Sequence, residues 1–131
     1  MYLLDTDTMI YSLKGHAKVN AQLAAKATLP KAISVVTYGE LYYGAMESAR
    51  AEANLATVRR TAEIFPVIDV SRAVMETFDS IKATLEKRGS PLADFDLIVA
   101  STALVLNYVL VTNNRRRFKR VPGLRMENWS V

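Results

Sequence analysis

The chain has 131 residues, half of them hydrophobic, with 17 Lys plus Arg against 13 Asp plus Glu, a formal net charge of +4, one His and no Cys. That length fits one domain over residues 1–131, which at this size buries roughly two-thirds of its unfolded surface and needs no disulfide or structural metal to fold. Without Cys there are no thiolate zinc sites or cysteine nucleophiles, and one His builds no polyhistidine centre; carboxylates, hydroxyls and bound cations are left, and the modest basic surplus points to an anionic partner.

Tyr2-Leu3-Leu4 is a short apolar run, predicted as a buried strand, followed by the polar turn Asp5-Thr6-Asp7. Met9, Ile10 and Leu13 stand at helical spacing, so a helix capped by Asp5 or a Thr follows and ends at Gly15. Ala17 to Thr28 is a second helical stretch closed by Pro30. Ile33 to Val36, rich in β-branched residues, predicts a strand, and Thr37 caps the next helix with Glu40, Leu41, Tyr43 and Gly44. Glu47 to Phe65 reads as one long amphipathic helix, with Leu55, Val58, Ala62 and Phe65 on its apolar stripe.

Val67 to Val70 is a brief strand after Pro66, and Ser71 caps a helix over Arg72 to Lys87. Gly89-Ser90-Pro91 is the clearest loop. Ala93 to Leu106 is apolar nearly all round and is predicted to be the most buried helix. Val109 to Thr112 is a further strand, Asn113 to Lys119 a polar basic segment, and Leu124 to Met126 a last edge strand. Strands alternating with helices, with short apolar strand cores, predict an α/β fold with a mostly parallel sheet covered on both faces. No stretch approaches the ~20 apolar residues of a bilayer helix. Met1 to Asp5 has no basic region ahead of its apolar run, so no secretory signal, no membrane partner and a cytoplasmic protein are expected.

In an open parallel sheet, ligands sit outside the carboxyl ends of the strands. The residues that follow strands there are Asp5, Thr6 and Asp7, then Thr37 and Glu40, then Thr112, Asn113 and Asn114; Asp94 and Asp96 open the most apolar helix. Each has an ordinary structural use as well. Asp5, Asp94 and Asp96 suit helix N-caps, Thr37-x-x-Glu40 has the form of a capping box, and Asn113-Asn114 suits a turn. Asp96 is the hardest to dismiss in this way, because Leu97 to Ala100 draws its turn into the core, where a carboxylate needs a partner. If Asp5, Glu40 and Asp96 converge, two carboxylates ~4 Å apart at an effective dielectric of ~20 repel by about 4 kcal/mol. Protons or a hard cation must answer that, and oxygen donors without His or Cys suit Mg²⁺ or Mn²⁺. Arg115, Arg116, Arg117, Lys119 and Arg120 put five cations in six residues beside that edge, a rim suited to phosphate contacts, with Phe118 turned inward.

Tyr2 to Asp7 resembles the opening strand of PIN-domain ribonucleases, in which an apolar run is usually followed by Asp-Thr-Asn. Ile33 to Gly44 resembles the family's second motif, Asp96 to Leu104 its third, and Leu110 to Asn114 its fourth, with Pro122-Gly123-Leu124 and Glu127-Asn128-Trp129 resembling its ending. Order, spacing and length resemble the toxin of the VapBC type toxin–antitoxin pair over essentially the whole chain. The resemblance implies a PIN-like three-layer α/β/α fold and a Mg²⁺- or Mn²⁺-dependent endoribonuclease acting on structured RNA such as tRNA. It also implies a cognate antitoxin as inhibitor and a homodimer. Asp5, Glu40 and Asp96 become the active-site acids, with Asp5 and Asp96 on the metal and Thr6, Asp7, Asp94, Thr112 and Asn114 as accessory positions. Two departures stand out: Asn114 where the family often has Asp, and Asp7 in place of Asn.

Tyr11, Leu13, Leu41, Tyr42, Tyr43 and Met46 give the early helices more apolar surface than one core face needs, which predicts a groove for an antitoxin helix. Two other readings compete. A receiver-type phosphoacceptor would use Asp5 and Asp7 with Asp69 and Thr112, but it leaves Glu40 and Asp96 idle. A catalytically impaired PIN-fold module that binds RNA or protein is suggested by Asn114.

Overall fold

A computed structural model describes residues 1–131. Five strands, β1 (Tyr2–Leu4), β2 (Lys31–Ser34), β3 (Val67–Ile68), β4 (Val109–Val111) and β5 (Met126–Glu127), form one sheet in the order β3-β2-β1-β4-β5. Every pairing is parallel, so the sheet is parallel throughout. The helices are α1 (Thr6–Leu13), α2 (Ala17–Ala25), α3 (Val35–Met46), α4 (Ala51–Ile64), α5 (Arg72–Lys87), α6 (Asp94–Leu106) and α7 (Arg115–Phe118).

The period-two alternation of strand side chains divides the core between the two faces. Tyr2, Leu4, Ile33 and Val111 pack with Met9, Val19, Leu41, Ala45 and Val58 from α1 to α4 and with Trp129. Leu3, Ala32 and Leu110 point the other way, onto Val99, Ala100 and Ala103 of α6, with Phe118 and Val121. Phe78 and Leu85 of α5 then close over Leu97. This is the expected three-layer α/β/α arrangement. α6 carries six buried residues, more than any other helix, and ends on Asn107 in the left-handed region at φ 57°, where the Arg125 guanidinium donates to its backbone and side-chain oxygens.

Several boundaries move for local reasons. β2 stops at Ser34 because the Ser34 hydroxyl accepts from Val36 N–H at 3.1 Å and caps α3. The β-branched Val35 and Val36 therefore enter the helix, and Thr37 is a buried residue of its first turn rather than its cap. The predicted helix over 47–65 starts only at Ala51. The Ser48 hydroxyl donates to Ala45 C=O, and Asn54 Nδ2 donates to Ser48, so the chain turns between α3 and α4. β3 is two residues shorter than predicted, β4 stops one residue before Thr112, and β5 begins two residues later, at Met126. α2 stops at Ala25, three residues before Thr28. The lone His16 accepts from Val19 N–H as the cap of α2 and stacks on Tyr11 at 4.8 Å. It is a structural residue.

Phe118 is fully buried and pins the short basic helix α7 against the sheet. Phe118→Ala should cost about 3–5 kcal/mol in urea unfolding, as for other buried aromatic truncations; a loss below about 1 kcal/mol would show that α7 is not anchored there.

Candidate active site

β1 is the central strand, flanked by β2 and β4, so their carboxyl ends lie side by side. Asp5 stands directly after β1 and is only 4 % exposed. Its Oδ1 accepts from Thr6 N–H at 2.9 Å as the cap of α1, and its Oδ2 accepts from the Thr112 hydroxyl at 2.9 Å. Capping and convergence are thus both properties of this one side chain. Two turns of chain tie in Asp7, whose Oδ2 accepts from Asn113 N–H at 3.2 Å. The Thr6 hydroxyl donates to Glu40 Oε1 at 2.7 Å and shares a 3.1 Å hydrogen bond with Thr37 Oγ1. α1 and α3 are joined in this way at the cleft, and Thr37 serves as a link from Thr6 rather than as half of a capping box.

Asp96 enters from the first turn of α6, where the residue at the cap is Ala93, not an Asp. Its Oδ2 lies 3.4 Å from Arg117 Nε. Burial, then the neighbouring Glu40 and Asp7 carboxylates, push the Asp96 carboxyl up against the pull of Arg117. Asp5 is pushed up to about 7, first by burial and then by Asp7 and more weakly Asp96, with the Thr112 and Thr6 hydrogen bonds opposing. Asp7 thus lies near both Asp5 and Asp96, and Glu40 near Asp96, around a cleft that is closed at Asp5 and open at Glu40.

Several expected residues are elsewhere. Asp94 points to α5, with Oδ1 3.1 Å from Lys82 Nζ, and takes no part in the cleft. Asn114 is a cap: its Oδ1 accepts from Arg117 N–H at 3.1 Å, while its own N–H donates to Thr112 Oγ1. Asn113, which the sequence suggested only as a turn residue, has a buried side-chain amide without a hydrogen-bond partner. Only its order after β4 hinted at it. Within the basic strip, Arg115, Arg116 and Lys119 are exposed, Arg120 donates to Pro91 C=O, and Arg117 faces Asp96. Asp69 follows the edge strand β3, with β2 between it and Asp5, so the phosphoacceptor arrangement is not built.

A groove of about 490 Å³ lies between α1, α3 and α4, lined by Ile10, Leu13, Leu41 and Val58 with Glu40 at the same surface. Tyr11, Tyr42, Tyr43 and Met46 do not line this groove. Tyr11 stacks on His16, and Tyr42 packs on Tyr38 and beneath Arg59. Tyr43 and Met46, 66 % and 55 % exposed, are set by the helical period on the other side of α3.

The donors in the cleft are carboxylates and hydroxyls only, a hard set. No three acidic groups close into a cage around a point, but Mg²⁺ usually takes one or two carboxylates and keeps several waters. Asp5 and Asp96, near enough for the one to raise the other, supply a donor set that suits such an ion, and a cation would relieve the crowding of like charges.

Residues 2–124 match the family model described as PIN domain. The tRNA(fMet)-specific endonuclease VapC of Salmonella typhimurium is 34 % identical over 128 residues, 98 % of this chain and 97 % of that protein. The tRNA(fMet)-specific endonuclease VapC of Shigella flexneri is 36 % identical over 132 residues, 98 % of each chain. Among solved structures, VapBC2 from Rickettsia felis bound to a DNA fragment from their promoter has a TM-score of 0.91 at 32 % identity, covering 98 % of both chains.

A raised carboxyl favours the folded state only while it is protonated. Below the ordinary value of 3.8 both states hold the proton; as pH climbs from there to about 7, the unfolded chain releases it first and stability falls. In chelator, Asp5→Asn should therefore gain on the original chain by an amount on the order of a few kcal/mol between pH 4 and 7. Thermal melts across that range measure it, and a constant difference would contradict the buried, crowded carboxyl.

Proposed function

The chain belongs to the PIN-domain family and, within it, to the VapC ribonucleases, and from that premise we propose that it is a metal-dependent endoribonuclease toxin of a toxin–antitoxin pair. Its reaction is hydrolysis of a phosphodiester bond in structured RNA of the tRNA class. The observation that carries this reading is the buried Asp5 carboxylate beside Asp7 and Asp96 at the carboxyl edge of a parallel sheet, with Glu40 beside Asp96 and tied to the same turn through Thr6. Asp5 and Asp96 would hold a Mg²⁺ or Mn²⁺ ion. When bound, such an ion supplies Lewis-acid polarisation of the phosphodiester.

The chain's own residues do the rest. Thr112 and Thr6 fix Asp5, and Thr6 fixes Glu40 through Oε1, leaving Oε2 without a hydrogen bond from the chain. Glu40 is exposed enough to meet water and takes its proton as the water oxygen bonds to phosphorus; the bond to the leaving oxygen breaks, and that oxygen takes up a proton from solvent. Arg115, Arg116 and Lys119 hold the flanking backbone phosphates, so binding weakens as salt rises.

The groove of Ile10, Leu13, Leu41 and Val58 suits an amphipathic antitoxin helix, and its continuity with Glu40 would let one partner cover both groove and cleft. The solved relatives that are toxin–antitoxin complexes support such a partner. A non-cleaving module is the second reading; it rests on the neutral Asn114 amide, whose Oδ1 accepts from Arg117 N–H as the cap of α7.

Total tRNA incubated with the purified protein and Mg²⁺ or Mn²⁺ should be cut, with Asp5→Asn and Asp96→Asn each losing roughly 10²–10³-fold or more in rate. Glu40→Gln should fall nearly as far, with circular dichroism unchanged in all three. Full cleavage in excess chelator would contradict the metal reading.

A further inference from the structure

The strip after β4 is not a uniform basic surface. Arg115, Arg116 and Lys119 reach solvent, whereas Arg117 is drawn back into the acidic cleft. Its backbone is placed by a short chain of bonds: Thr112 Oγ1 donates to Asp5 and accepts from Asn114 N–H, and Asn114 Oδ1 accepts from Arg117 N–H. The side chain then closes the circuit on Asp96, with Nε 3.4 Å from Oδ2 and the guanidinium 5.2 Å from the Phe118 ring. It is the only cation in the chain paired with a carboxylate of the cleft, since the one other ion pair joins Lys82 to Asp94.

The contact is close but poorly made. Arg117 Nε is buried and has no hydrogen-bond partner, so the pair is held by charge without the aligned N–H···O that makes such pairs strong. Only Nε is enclosed while the side chain as a whole is 37 % exposed, so the guanidinium can turn to water at little cost and a better cation can displace it. The cleft meanwhile has several carboxylates and no other internal positive charge.

We propose that Arg117 is a built-in counter-cation of the cleft, a positioning residue that competes with the divalent ion for Asp96 and raises the metal concentration at which the site fills. This rests on the reading of Asp5 and Asp96 as the metal-holding pair. In the metal-free protein the guanidinium neutralises Asp96; when an ion arrives, Arg117 gives up that oxygen and its charge becomes available to an RNA phosphate beside the ion. One residue would then serve two states of the site, and Lys at the same place would retain the charge but not the planar fork.

The test is calorimetric titration of Mn²⁺ into the metal-stripped, RNA-free chain and its Arg117→Gln and Arg117→Lys variants, with thermal melts in chelator and in Mn²⁺. Arg117→Gln should bind Mn²⁺ about fivefold or more tightly, the factor that removal of a partly buried competing charge supplies. It should also melt earlier in chelator and gain more from Mn²⁺ than the original chain. Arg117→Lys should stay within about twofold of the original affinity, because the charge is kept. An Arg117→Gln variant that binds Mn²⁺ equally or less tightly, or that does not fold, overturns the role of Arg117 and leaves the metal site standing. An absence of Mn²⁺ binding by all three proteins overturns the metal-holding pair and this proposal with it.

Discussion

Asp5 follows the central strand of the sheet, and its carboxylate is enclosed there with one oxygen on the Thr6 amide and the other on the Thr112 hydroxyl. Burying an ionisable group so deeply is costly unless something compensates the charge. Two hydrogen bonds answer part of that cost, but Asp7 and Asp96 add to it. Much of the surrounding architecture follows from this unresolved charge. Thr6 extends from the Asp5 turn to Glu40, Thr112 extends from it to Asn114, and Asn114 places α7 with Arg117 over Asp96. A fold optimised for stability alone would not collect these groups at the end of its best-packed strand.

The same economy explains why capping and function coincide. Asp5 caps α1, Asn114 caps α7 and Asp96 lies in the first turn of α6, where the partial positive charge of a helix start favours a carboxylate. Helix starts that converge on one sheet edge bring their acids together without extra machinery. The groove of Ile10, Leu13 and Leu41 lies between α1, α3 and α4 and includes Glu40, so an apolar surface and an acid of the cleft adjoin on α3.

Where local chemistry decides an element, the sequence is readable. The bounds of α5 follow from the Ser71 cap and the loop at Gly89, and α6 is marked by its run of apolar residues. The strand cores and the edge at which Asp5, Glu40 and Asp96 gather follow from alternation of strands and helices. Direction of side chains is another matter. Thr37-Tyr38-Gly39-Glu40 has the form of a capping box, but Ser34 takes the cap three residues earlier and turns Thr37 inward. Asp94 and Asp96 are alike in sequence, and only the placement of α5 with Lys82 sends the first away. Arg117 is indistinguishable from its neighbours until the turn capped by Asn114 aims it at Asp96. Tyr42, Tyr43 and Met46 suggest a groove by composition, but the helical period sets them on the side of α3 away from the pocket lined by Ile10, Leu13 and Leu41.

The central claim is that the buried Asp5 and the half-buried Asp96 share one divalent ion. Anomalous diffraction from crystals of the chain soaked in Mn²⁺ tests it most directly, because the position of the ion is seen rather than inferred from rates. A single strong peak between the Asp5 and Asp96 carboxylates, near the open side of Glu40, is expected, with Arg117 moved off Asp96. A peak at some other place, or an empty cleft in crystals of a protein that cleaves RNA, would contradict it.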